Sequence, residues 1–133
     1  MSKMYYGRGY VYNIRYHIVW CVKYRRKILT KPIEIYLIEL LNKIAFDNNF
    51  TIVTVNGDLD HIHLLIECTP QHYIPDIMKA LKGVSARLLL KKYPDLKEKL
   101  WDGHIWNPSY FISTVSETSE EQINFYILSQ KEK

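Results

Sequence analysis

Within the stretch "DLDHIHLLIE", Asp58 to Glu67, two histidines stand one residue apart in an otherwise apolar run. Residues two apart on a strand point the same way, so His61 and His63 present two imidazoles on one face. Ile62 and Leu64 point to the other face, where they can enter a core. Neutral imidazole is a good ligand for a borderline divalent metal. Two ligands are too few for a tight site, so a third must come from elsewhere. There is no His-Glu-x-x-His pattern of a zinc hydrolase. Far downstream, "YILSQ" places Tyr126 and Gln130 four residues apart, on one face of a helix. A tyrosine hydroxyl is a nucleophile once deprotonated, and a glutamine amide oxygen can ligate a hard metal.

The elements that must position these groups follow from pattern. Asn13 to Lys23 is rich in aromatic and β-branched residues and reads as a long strand. Its core face is Tyr16, Ile18, Trp20 and Val22, with Arg15, His17, Val19, Cys21 and Lys23 on the other. Thr30 and Pro32 open a helix whose apolar residues Ile33, Leu37, Leu40, Leu41 and Ile44 fall at helical spacing as far as Asp47. "FTIVTVNGD" gives a strand to Val55 and a tight turn at Asn56–Gly57, followed by the histidine strand. A second helix spans Ile74 to Lys92, with Ile77, Leu81, Val84 and Leu88 as its buried stripe and Gly83 inside it. A mostly irregular stretch with Trp101 and Trp106 leads to a strand at Tyr110–Val115. Ser119 and Gln122 form a capping box before the helix that bears Tyr126.

The order is β-α-β-β-α-β plus a terminal helix. It predicts an α+β fold: a ferredoxin-like antiparallel sheet with helices on one face and a C-terminal helix carrying the tyrosine. The 133 residues suit one domain, 1–133. The two cysteines, Cys21 and Cys68, lie in separate apolar runs and form no zinc or disulfide pattern. With no run of transmembrane length, a soluble cytoplasmic protein is expected, with no membrane partner.

The net charge of +4 is modest, but its distribution is not even. Met1 to Ile33 holds no Asp or Glu and interleaves cations with Tyr5, Tyr6, Tyr10, Tyr12 and Tyr16. Cations contact phosphates and aromatic rings stack on bases. The cations that are candidates for nucleic-acid contact are Arg8, Arg15, Lys23, Arg25, Arg26, Lys27, Lys79, Lys82 and Arg87.

"DHIHLLIE" with "YILSQ" downstream resembles the HUH-class single-tyrosine transposases of the smallest bacterial insertion sequences, including relatives associated with repeated palindromic DNA. "HIVWCVKYRR", "LKGVSARLL" and "LWDGHIW…SYFISTV" extend the resemblance over nearly the whole chain. It implies Tyr126 as nucleophile and His61, His63 and Gln130 as ligands of a divalent metal, magnesium or manganese. It also implies single-stranded DNA with hairpins as substrate, a 5′-phosphotyrosine intermediate, and a homodimer whose active site is shared between subunits. The host would be bacterial or archaeal. Two other functions fit the residues alone: a hydrolytic metal nuclease, and a single-stranded nucleic-acid-binding module without chemistry. Loss or survival of cleavage in Tyr126→Phe separates them.

Overall fold

The computed structural model describes residues 4–100, 102–115 and 120–130; the side chains of residues 120–122 are not described. Trp101, the cap at Ser119 and the side chain of Gln122 therefore lie outside the described residues.

The chain opens with a hairpin, β1 (Tyr5–Gly7) and β2 (Tyr10–Tyr12). Its turn is Arg8–Gly9, and Gly9 takes φ +81°, a conformation that costs glycine least. The Tyr5 and Tyr12 rings stack at 5.6 Å, and Tyr10 lies 5.9 Å from Tyr12. The Tyr5 hydroxyl donates to Glu67 at 2.9 Å, which ties the hairpin to the main sheet.

That sheet has the order β4-β5-β3-β6, every pair antiparallel. Its strands are β3 (Ile14–Cys21), β4 (Thr51–Asp58), β5 (His61–Cys68) and β6 (Phe111–Thr114). Helix α1 (Lys31–Asp47) and the broken helix α2 (Ile74–Met78), π-turn Lys79–Val84 and α3 (Ser85–Lys92) bury one face. Ile18, Trp20, Ile62, Leu64, Leu37, Leu41 and Leu81 form the centre of this core and are wholly buried. Helix α4 (Glu120–Ser129) covers the other face, where Ile123 and Ile127 pack on Val19 and Cys21.

The expected fold class is therefore corrected. A ferredoxin-like βαββαβ unit with helices on one face, and with its tyrosines gathered in the C-terminal helix, does not describe this chain. It is an α+β fold of two antiparallel sheets with helices on both faces of the larger one. The clustered tyrosines, Tyr5, Tyr10 and Tyr12, belong to the N-terminal hairpin and not to α4, where Tyr126 stands apart from them. The hairpin leaves no periodic signal in the sequence because its strands have only three residues each.

Two local expectations also change. Asn56 and Gly57 do not turn; they pair with His63 and Ile62, and the turn is Leu59–Asp60. A Cβ at Gly57 would meet the Glu34 carboxylate oxygen at 2.9 Å and Ile62 Cδ1 at 3.0 Å. In the second helix the buried residues are Ile77, Met78, Leu81, Ser85 and Leu89, not Val84 and Leu88. The π-turn holds an extra residue, which advances the buried face by one position.

Candidate active site

The register places Cys21 opposite His61 and Val19 opposite His63. All four side chains share the face beneath α4, because paired residues in a sheet project to the same side. The His61 ring donates from Nδ1 to Asp60 Oδ1 at 2.7 Å, which leaves the Nε2 lone pair for another partner. Asp60 is buried, and its other oxygen accepts from Arg25 Nη2 at 3.0 Å. Arg25 reaches it from a tight turn in which Tyr24 and Arg25 take φ of 59° and 51°. Such left-handed backbone is strained in non-glycine residues, and here it delivers the guanidinium to the carboxylate that orients His61.

His63 Nε2 lies 3.1 Å from Nδ1 of His17. Burial lowers the His63 pKa, and the neighbouring His17 and His61 lower it further. His63 is thus held neutral near physiological pH, the form that binds metals. Beside it, burial pushes the Cys21 thiol up to about 11, so this sulfur stays protonated and inert.

Tyr126 and Gln130 meet at a residue that was not singled out, Ser109. The Ser109 hydroxyl lies 2.9 Å from the Tyr126 hydroxyl and donates to Gln130 Oε1 at 2.8 Å. Ser109 is set by an Asx turn: Asn107 Oδ1 accepts from the Ser109 N–H at 3.0 Å and also lies 3.0 Å from its hydroxyl. "NPS" at Asn107–Ser109 is a turn-initiating sequence, the signal that could have drawn attention to it. Lys82 anchors the same turn, donating to the Asn107 carbonyl at 2.6 Å and the Ser109 carbonyl at 2.9 Å. Burial pulls the Lys82 pKa down to about 8. The Tyr126 ring leans on Phe111 at 5.7 Å. Burial pushes its phenol up to about 12, against the opposing effect of the Ser109 hydrogen bond. A phenol in that state is a poor nucleophile, so attack requires a change in its surroundings.

The tyrosine pair and the histidine pair share one sheet face. Among the described residues no hydrogen bond joins Tyr126 or Gln130 to either histidine, nor does any group of three His, Cys, Asp or Glu side chains gather to hold a metal. Two neutral imidazoles, one braced by a carboxylate, are nonetheless a fitting donor set for a divalent ion. Gln130 Oε1 offers an oxygen donor near this face and is engaged by Ser109.

The structure divides the DNA-contact candidates. Arg15, Lys23 and Arg25 are paired with Glu67, Asp102 and Asp60, and Lys82 holds backbone carbonyls. Arg26 donates to the Lys99 carbonyl and lies over the Tyr24 ring. Arg8, Lys27, Lys79 and Arg87 are exposed. Trp106 is packed, its indole N–H donating to Ser85 at 3.0 Å.

The strand face with paired histidines thus lies beneath the helix that bears Tyr126. Residues 10–130 match the family "Transposase IS200 like", and the chain belongs to that family. It is 52% identical over 127 residues to the ISDra2 transposase TnpA of Deinococcus radiodurans, covering 96% of this chain and 91% of that one. It is 32% identical over 121 residues to the transposase of insertion sequence element IS200 from Salmonella typhimurium, covering 91% and 79%. A crystal structure of a Deinococcus radiodurans R1 protein superposes with a TM-score of 0.91 at 46% identity, covering 96% of this chain and 98% of that one. A tyrosine transposase bound to a REP hairpin shares the fold, with a TM-score of 0.54 at 16% identity over 96% of this chain and 68% of that one. The chain is accordingly a DNA transposase of the IS200 type, an enzyme that cleaves and transfers DNA strands through a tyrosine. No helix among the described residues is long and apolar enough to cross a membrane.

Proposed function

We propose that Tyr126 is the nucleophile and that the enzyme cleaves single-stranded DNA at hairpin-marked ends. The phenolate oxygen attacks the phosphorus in line, a 5′-phosphotyrosine bond forms, and the 3′ oxygen leaves as a hydroxyl. That hydroxyl later attacks a phosphotyrosine, which restores the tyrosine and conserves the bond energy for rejoining. The observation that carries this reading is the Tyr126–Ser109–Gln130 contact, which sets a phenol on the sheet face that bears His61 and His63.

His61, His63 and Gln130 would hold magnesium or manganese. Bound there, such an ion would polarise a nonbridging phosphate oxygen. Asp60 fixes the His61 ring, and burial keeps His63 neutral. Gln130 would first give up its bond from Ser109, and the same release frees the Tyr126 hydroxyl. The exposed Arg8, Lys27, Lys79 and Arg87 are the cations open to phosphates, and a homodimer with a shared active site is the working assembly. Its place is the cytoplasm, with the DNA.

The test is cleavage of a labelled DNA strand that contains a hairpin and the element end, with magnesium or manganese. Cleavage should vanish in Tyr126→Phe and in the double variant His61→Ala/His63→Ala. Cleavage that survives Tyr126→Phe would instead favour a nuclease using water.

A further inference from the structure

Three shallow cavities on the outer side of the second helix converge on one residue, Gly83. One of about 360 Å³ lies toward Lys23, His104 and Trp106. A second of about 370 Å³ lies toward Pro75, Pro108 and Tyr110. The third, about 440 Å³, lies between Asp76, Lys79 and Arg87. Gly83 lines all of them.

Glycine in the middle of a helix is unfavourable, so its presence asks for a reason. Backbone conformation is not one: Gly9 and Gly103 take positive φ, and Gly83 does not. Internal packing is not one either, because a Cβ built at Gly83 meets no atom within 4 Å. What remains is close approach from outside. Lys79 and Arg87 stand four residues to either side on the same exposed face. Among the described residues neither is in an ion pair. Eight residues of helix span about 12 Å, so the cations flank the bare backbone at about 6 Å each way.

We propose that Gly83 is the floor of a groove across this helix in which the sugar–phosphate backbone of a single DNA strand lies, with Lys79 and Arg87 contacting phosphates on either side. The groove opens at one end on Pro108, next to the Ser109 that holds Tyr126. A strand crossing at Gly83 is thereby led toward the nucleophile. The proposal rests on the reading that the substrate is single-stranded DNA.

The experiment compares wild type, Gly83→Ala, Gly83→Leu and the double variant Lys79→Gln/Arg87→Gln. Binding to a fluorescein-labelled single strand of about 30 nucleotides is followed by anisotropy across a salt series. Melting and sedimentation of each free protein are measured alongside. Both Gly83 variants should melt at or above wild type, since space is open and helix propensity improves. Gly83→Leu should weaken binding by about tenfold or more, and the double variant should reduce the salt slope by about 1.4. If Gly83→Leu fails to fold, the double variant decides through that slope. Undiminished binding by a folded Gly83→Leu overturns the proposal. So does a change in its sedimentation with DNA affinity kept, which would mean that a second copy of the chain fills the groove. No binding by wild type would instead overturn the single-strand reading itself.

Discussion

Replacing Lys82 with methionine keeps the aliphatic stem and removes a half-buried ammonium. Lys82 makes two hydrogen bonds to carbonyls, and burial pulls its pKa from 10.5 down to about 8. Below about pH 8 both the folded and the unfolded chain hold the proton, and the folded chain bears the full cost of burying the charge. Between about pH 8 and pH 10.5 the folded chain has released the proton and the unfolded chain has not, so stability rises with pH. The interval corresponds to at most about 3 kcal/mol; screening of a partly exposed side chain brings it to roughly 1–2 kcal/mol. Two thiols act in the opposite direction. Cys21 and Cys68 are pushed from 9.0 up to about 11, so above about pH 9 the folded chain holds protons that the unfolded chain has lost, and stability falls. The difference between wild type and Lys82→Met isolates the lysine. Urea unfolding at about pH 7, 8, 9 and 10 should show wild type gaining roughly 1–2 kcal/mol on the variant across the series. Ser109 loses its anchor in the variant, and strand cleavage should fall about 10- to 100-fold through misplacement of Tyr126. A difference that stays constant with pH refutes the buried-ammonium reasoning. Unchanged cleavage refutes the role of Lys82 in positioning the tyrosine.

Asp60→Asn removes the charge that links Arg25 to His61; stability should drop by about 2–4 kcal/mol in chemical denaturation, because a charge partner is lost from a buried pair. The same variant should bind manganese about 10- to 100-fold more weakly by calorimetry, since the His61 ring loses its orienting acceptor. Ser85→Ala leaves the Trp106 indole N–H buried without its acceptor and should cost about 1–3 kcal/mol in the same denaturation assay.

The site was legible where the residue types carry geometry by themselves. His61-Ile62-His63 reads as two imidazoles on one face because strand period is two, and the register agrees. Tyr126 and Gln130 read as one helix face, and both reach Ser109. What the chain order concealed were contacts made by loops. Ser109 meets Tyr126 from a turn that Lys82 and Asn107 hold, through contacts 25 and 17 residues apart that no period encodes. Arg25 reaches Asp60 through left-handed backbone at Tyr24, where propensity argues against it. Asn56–Gly57 carries the strongest turn signal nearby, yet the strand runs on through both residues, which pair with His63 and Ile62. The π-turn at Lys79–Val84 moved the buried face from Val84 and Leu88 to Ser85 and Leu89, an offset that uniform helical spacing cannot express. Tyr5, Tyr10 and Tyr12 read from sequence as a basic aromatic stretch, and they form a hairpin in which Tyr5 stacks on Tyr12.

The chain has tyrosines at both ends of its fold, so the central claim is which of them takes the DNA. The protein is incubated with a hairpin-bearing strand and manganese, the covalent adduct is isolated under denaturing conditions and digested, and the peptide carrying the nucleotide is sequenced by mass spectrometry. The account predicts the nucleotide on Tyr126, within the peptide that contains Gln130. A nucleotide on Tyr5, Tyr6, Tyr10 or Tyr12 would contradict it and move the active centre to the N-terminal hairpin.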